Sequence, residues 1–256
     1  MTVFYFTATG NCLEVAKSFG DARLLSIPQV LNSEECEFCD DVIGVVFPVY
    51  FSDVPNVVKR FLYEVKLKAD YTFAILTYGE ARGVAVNRLK CLSRLVGLNF
   101  SYVNTVKMVD NYYPLYDVEC QVKNLHRKQV DRKIQAIKTD IETRRLRAGN
   151  PDLLDWMLGV TILFKPDYTK HSARFYVDEA RCTKCGMCAR VCPSGDIVAK
   201  PGVMPRFKTK FCEACGACTH NCPQNAIRYR CERSKNRYRN HKISLQDIIN
   251  ANEEKQ

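Results

Sequence analysis

Two short runs constrain this chain more than anything else in it: CTKCGMCARVCP at 182–193 and CEACGACTHNCP at 212–223. Both read C-x2-C-x2-C-x3-C-P. Shifted by 30 residues, 181–197 falls on 211–227, with matches at Cys182, Cys185, Gly186, Cys188, Cys192, Pro193 and Ile197. This is an internal repeat, and each copy supplies half of a pseudosymmetric unit. The spacing has a physical reason. A cubane iron–sulfur core needs four thiolates around a compact body. Three cysteines two residues apart wrap one loop around three irons, and the fourth comes from another segment. Where two such runs are paired, the last cysteine of each ligates the other cluster. That rule gives one [4Fe-4S] cluster to Cys182, Cys185, Cys188 and Cys222, and a second to Cys212, Cys215, Cys218 and Cys192. Gly186 and Gly216 permit close backbone approach to sulfide, and Pro193 and Pro223 turn the chain after the crossing ligand. Structural zinc is the competing reading. It uses paired cysteines, often with histidine, across longer loops.

The other cysteines of the 14 carry less. Cys36 and Cys39 form a C-x2-C, but Glu34, Glu35, Asp40 and Asp41 surround them and disfavour thiolate. Cys91, Cys120 and Cys231 read as ordinary thiols, and the histidines at 126, 171, 220 and 241 form no constellation. No basic segment precedes the first apolar run and no cleavage site follows it, so no signal peptide is expected. The best apolar stretch, Trp156 to Phe164, is too short to span a bilayer. The expected location is the cytoplasm, where dense cysteines imply metal rather than disulfides.

Charge is unevenly spread. Residues 1–110 carry 11 basic and 12 acidic side chains, a net of −1, and residues 111–256 carry 27 and 16, a net of +11. A basic half of this kind suits an acidic redox partner protein. No nucleic-acid motif accompanies it, so a nucleic-acid partner is not expected.

The first hundred residues alternate in type. Strands are expected at 2–6, 24–27, 42–47, 71–77 and 100–106, the longer ones without polar alternation, as in strands buried on both faces. Helices are expected after residue 11, from an Asp53 cap to about Tyr63 with Pro55 in the first turn, and over 84–96 ending at Gly97. The acidic stretch 28–41 leaves room for a reduced helix or none. Parallel strands need helical crossovers, so the expected fold is α/β: a doubly wound, five-stranded parallel sheet over residues 1–147. Residues 118–147 read as one long basic helix with Val130, Ile134, Ile137 and Ile141 as its stripe. A connector follows at 148–172, the cysteine-rich α+β domain at 173–232, and at 233–256 a basic tail that should be solvated, with a short helix opened by Ser244.

Ligands of such sheets bind beyond the carboxyl ends of the strands. The first strand ends in TATGN, residues 7–11, ahead of a helix N-terminus. Backbone N–H groups there, with Thr7, Thr9 and Asn11 as side-chain donors and Gly10 allowing close approach, suit a phosphate. Two further loops leave the same edge: PVYFSDVP at 48–55 and TYGEARG at 77–83. Pro48, Val49, Tyr50, Phe51, Thr77, Tyr78, Gly79 and Gly83 would line a flat ring on a monophosphate tail, which points to FMN. The spacing is neither the dinucleotide fingerprint nor a Walker loop.

On these residues, 1–147 resembles a flavodoxin, whose T/S-x-T-G-N-T loop matches Thr7, Thr9, Gly10 and Asn11. Residues 173–232 resemble a two-[4Fe-4S] ferredoxin. The chain as a whole is similar to flavodoxin–ferredoxin fusion proteins (ferrodoxins) of anaerobic microbes, on FTATGN, FPVYF, TYG and DNYYP at 110–114. The resemblance implies electron transfer, with FMN and two clusters as cofactors. One departure is Cys12, where flavodoxins usually carry threonine; a thiol is a weaker donor to phosphate. Glu80 in the third loop would lower the potential of a flavin beside it. Three readings stand at this point. The first is an electron carrier relaying between FMN and the clusters. The second is an FMN-dependent reductase, an iron–sulfur flavoprotein oxidoreductase, with Tyr50, Tyr78 or Tyr113 giving a proton. The third is a flavin-free scaffold that docks the ferredoxin half on a partner.

Overall fold

The computed structural model describes residues 1–147, 173–208 and 211–253. The expected connector at 148–172 lies outside the described residues. Two compact units are present. One holds residues 1–6, 11–108 and 125–147; the other holds 7–10, 109–124 and the described residues from 173 to 253.

The first unit is built on long apolar strands. Its elements in chain order are β1 (Thr2–Tyr5), α1 (Asn11–Lys17), β2 (Arg23–Ser26), α2 (Ile27–Leu31), β3 (Glu37–Cys39), β4 (Val42–Pro48), α3 (Asn56–Glu64), β5 (Lys66–Lys68), β6 (Tyr71–Tyr78), α4 (Ala85–Leu95) and β7 (Tyr102–Lys107). Five of the strands form a parallel sheet in the order β2-β1-β4-β6-β7. Counted without β3 and β5, that is 2-1-3-4-5, the flavodoxin-like doubly wound order. β4 and β6 form its centre, in register from Val42↔Tyr71 to Pro48↔Thr77. Nearly every residue of both is buried, because helices cover both faces of a parallel sheet. Gly44 is required there: a Cβ would stand 2.1 Å from the ring of Phe73. One side of the core gathers Phe4 against Phe38 (4.9 Å, edge-on) and Phe61 (5.0 Å). α3 delivers Val57, Val58, Phe61 and Leu62 from one face, each worth ~1.5–3 kcal/mol when fully buried.

Several local expectations are corrected. Asp53 lies two residues before the assigned N-cap of α3. The N-cap is Pro55, and Asp53, buried, accepts from Val54 N–H and pairs with Lys59 at 2.8 Å. The reduced helix is the five-residue α2, and β3 and β5 add an unforeseen parallel pair (Glu37↔Lys66). The long basic helix is broken into α5 (Val118–Lys123), a 3-10 turn at Leu125–Lys128 and α6 (Val130–Glu142). Gln129, at φ 48, cannot continue a right-handed helix. The stripe survives in α6, where Ile134, Ile137 and Ile141 are buried.

The second unit is antiparallel and short-stranded. It contains α5, β8 (Phe175–Val177), α7 (Met187–Arg190), β9 (Ile197–Val198), β10 (Arg206–Phe207), α8 (Ala217–His220), β11 (Ile227–Tyr229) and α9 (Leu245–Asn252). β8 pairs with β11, and β9 with β10. The tail expected to be solvated is packed instead. Tyr238, Asn240, Ile243, Ile248 and Ile249 are buried, and the charged residues between them carry the exposure. α9 does open at Ser244, in a capping box with Asp247.

Candidate iron–sulfur site

The two cysteine runs fold alike. Gly186 and Gly216 precede α7 and α8 at φ 76 and 69. Lys184 and Ala214 are left-handed too, at φ 58 and 53, and so are Gly195 and Asn225, at φ 59 and 51. Each pair is separated by the 30-residue repeat. Hydrogen bonds repeat with it: Ala189 N–H to Gly186 O and Thr219 N–H to Gly216 O, then Gly195 N–H to Cys192 O and Asn225 N–H to Cys222 O. Positive φ at two positions within four residues bends each loop so that its three thiols face inward.

Two cavities result. Cys182, Cys185, Cys188 and Cys222 line the first; Cys192, Cys212, Cys215 and Cys218 line the second. The fourth cysteine of each run therefore stands in the other run's cavity. Among the described residues, no three His, Cys, Asp or Glu converge closely enough for a single metal ion. Pro205, Met187 and Ile227 complete the first cavity; Phe175, Phe207, Ile197, Asp196 and Glu213 border the second.

Burial pushes the Cys188 thiol up to about 12, with Cys222 and Cys185 pressing the same way. Cys212 is likewise pushed up to about 12 by burial, with Cys192 adding to it. Cys215 and Cys218 are raised further, by burial and by the thiols facing them. Thiols so placed hold their protons until a positive core compensates the thiolates. Two backbone donors already point at sulfur: Ala214 N–H at Cys212 Sγ (3.4 Å) and Ala226 N–H at Cys222 Sγ (3.3 Å). The donor set and its enclosure fit two iron–sulfur clusters.

Beside the second cavity lies a network that sequence reasoning missed. Tyr238 N–H donates to His220 Nδ1 (3.1 Å), so Nε2 carries the hydrogen toward Asn111 O at 2.8 Å. Burial lowers the His220 pKa to about 4, and the ring is neutral at pH 7. Tyr113 is buried, its hydroxyl 3.3 Å from Thr219 Oγ1, its ring edge-on to His220. Arg237 lies 5.0 Å over that ring and pairs with Glu232 at 2.9 Å; Arg228 also pairs with Glu232. These partners come from segments more than 100 residues apart, and no local spacing signals them.

TATGN is where expectation and structure part. Residues 7–10 belong to the second unit. Their carbonyls are taken one by one: Thr7 O by Asn252 Nδ2 (3.1 Å), Ala8 O by Asn221 Nδ2 (3.0 Å), and Thr9 O by Asn240 N–H (2.8 Å). The hydroxyls are also engaged. Thr7 Oγ1 accepts from Gly10 N–H (3.1 Å), and Thr9 Oγ1 accepts from Asn111 Nδ2 (2.6 Å). A Cβ on Gly10 would stand 2.9 Å from Asn240 Cβ and from Ile243 Cβ. Thr7 and Thr9 are 1% and 3% exposed. The glycine leaves room for the chain's own tail.

The remaining expected flavin residues lie in the first unit. Cys12 is buried, its Sγ 3.1 Å from Thr77 Oγ1, and burial pushes its pKa up to about 12. Loops 48–55 and 77–83 do meet, with Val49 N–H donating to Thr77 O (2.8 Å). A Cβ on Gly83 would stand 2.2 Å from Ser52 Cβ. Tyr50 is bridged to Asp53 and edge-on to Phe6, and Phe51 and Ser52 are left-handed. Pro48, Tyr78 and Gly79 are half-buried. Glu80 pairs with Lys107 (3.0 Å) and approaches Lys128 (3.8 Å), so its charge is locally balanced.

Residues 181–227 match the 4Fe-4S dicluster domain. No curated protein matches the chain. Two solved structures resemble it over 41% of its length. One is a Bacteroides uniformis ATCC 8492 protein described as a flavoprotein, 15% identical, covered over 89% of its own chain, with a TM-score of 0.32. The other is the Trp repressor binding protein from Bacillus subtilis, 12% identical, covered over 82%, with a TM-score of 0.29. Among the described residues, no helix is long and apolar enough to cross a membrane.

Proposed function

We propose that this chain is an iron–sulfur electron-transfer protein with two [4Fe-4S] clusters. Cys182, Cys185, Cys188 and Cys222 would hold one, and Cys212, Cys215, Cys218 and Cys192 the other. The observation that carries this reading is the crossing of the fourth cysteine into the opposite cavity. Bound clusters of this kind supply one-electron exchange, at potentials from roughly −700 to +450 mV. The chain's share is positional. Its left-handed residues aim the thiols, its N–H groups donate to sulfur, and Phe175, Phe207 and Ile197 line the second cavity.

FMN stays outside this reading. The strand order favours a flavin, but the loop that would take its phosphate holds Asn240 and Ile243. Of the three tyrosines named for a reductase, Tyr113 is buried against Thr219, while Tyr50 and Tyr78 are half-buried. The sheet unit then serves as a flavin-free scaffold, in the architecture of the fusion proteins but without their flavin. The test is iron, sulfide and acid-released flavin on protein purified without oxygen. About eight iron and eight sulfide per chain with no flavin is expected. Iron near two per chain or below would overturn the cluster reading. One FMN per chain would restore the flavin relay.

A further inference from the structure

The 30-residue repeat allows each residue of one run to be compared with its counterpart, and the two loops differ in exposure. Thr183, Lys184 and Cys185 are exposed. Their counterparts Glu213 and Ala214 are 6% and 8% exposed, and Cys215 is half-buried. Of the eight cysteines in the two runs, Cys185 alone is exposed. Charge differs as well. Lys184 borders the first cavity, whereas Asp196 and Glu213 border the second.

More positive charge collects at the first rim. Gly202 N–H donates to Lys184 O (2.9 Å), which brings the turn at 200–203 alongside. Lys200 is exposed on that turn, and so is Val203, at 54%. Arg206, also exposed, follows Pro205 of the cavity lining. The acids next to this loop in sequence are Glu179 and Asp178, the latter paired with Arg181 at 3.2 Å.

We propose that the rim of the first cavity, Lys184, Lys200, Val203 and Arg206 around Cys185, is the docking face for an acidic one-electron redox protein. The proposal rests on the two-cluster reading above. Electron transfer between proteins needs the two centres close, and this face brings a cysteine of the set to the surface. The cations select an acidic rim on the partner and steer the encounter, while the exposed valine supplies apolar contact. One electron crosses; the partner gains what this chain loses, or the reverse, and no bond forms or breaks.

Two measurements on the intact, cluster-loaded protein test this. In the first, carbodiimide couples poly-L-glutamate to the protein and mass spectrometry maps the linked lysines. Links concentrated at Lys184 and Lys200 are expected. An even spread that includes Lys133 and Lys138 of α6 would overturn the assignment. In the second, the reduced protein is oxidised by one equivalent of ferricyanide, an anion, or of hexaamminecobalt(III), a cation, at low salt. The double variant Lys184→Glu, Lys200→Glu should slow ferricyanide on the order of tenfold and speed the cation. Unchanged rates with both oxidants would refute the docking face. Iron content of the unaltered protein, measured beforehand, separates a failure of the cluster reading from a failure of the docking face.

Discussion

Replacing Gly10 with alanine asks directly what the TATGN loop holds. Gly10 sits at φ 98, where a side chain is strained at a cost of order 1–3 kcal/mol. The new methyl would lie 2.9 Å from Asn240 Cβ and Ile243 Cβ, and overpacking of that kind costs typically ~1–3 kcal/mol more. Gly10→Ala should therefore weaken the seating of the C-terminal segment by about 1–3 kcal/mol, on top of the backbone cost to the loop. Hydrogen exchange read by mass spectrometry is the assay. A loss of only ~2 kcal/mol in local opening free energy speeds exchange roughly 30-fold. The amides of 238–252 should show it, and those of β4 and β6 should not. Gly97→Ala is the control. Gly97 is also left-handed (φ 74), but a Cβ there meets nothing within 4 Å, so only the backbone cost remains. If 238–252 exchange at the unaltered rate in folded Gly10→Ala protein, the tail does not occupy the loop and the loop is open to a phosphate.

Other outcomes follow from the same geometry. In Cys192→Ser protein, iodoacetamide should reach Cys212, Cys215 and Cys218 while Cys182, Cys185 and Cys188 stay protected, as mass spectrometry can show; the opposite pattern would refute crossed ligation. Cys12, buried with its pKa near 12, should resist iodoacetamide at pH 8 until the protein unfolds, whereas exposed Cys36, Cys39 and Cys91 react. Alkylation of Cys12 at their rate would mean that its loop is open. Arg237→Met leaves Glu232 one cation short in a buried cluster and removes the cation over Tyr113, a loss of roughly 3–5 kcal/mol in the second unit, read by thermal unfolding. A change below ~1 kcal/mol would show that the pair is solvated.

The sequence by itself determined what repeats locally. Cysteine spacing and the 30-residue period specified two equivalent loops, because three thiols at fixed steps and a left-handed glycine can bend only so far. Apolar runs such as VIGVVF specified strands covered on both faces, and hence a parallel sheet with crossovers. The stripe at Ile134, Ile137 and Ile141 specified α6, although not the break at Gln129, whose left-handed turn no periodicity reveals.

Tertiary structure decided everything that depended on distant partners. TATGN has the composition of a phosphate loop, and composition cannot say whether Asn221, Asn240 and Asn252, more than 200 residues later, will take its carbonyls. The tail looked solvated because Arg and Lys dominate it, yet Tyr238, Ile243 and Ile248 between them are buried. Nor could two matching cysteine runs reveal that one loop is open to water and the other enclosed. Local chemistry sets what a segment is able to bind. What it does bind depends on which competing group the fold brings to it, and those groups are placed by packing across the whole unit rather than by their neighbours in sequence.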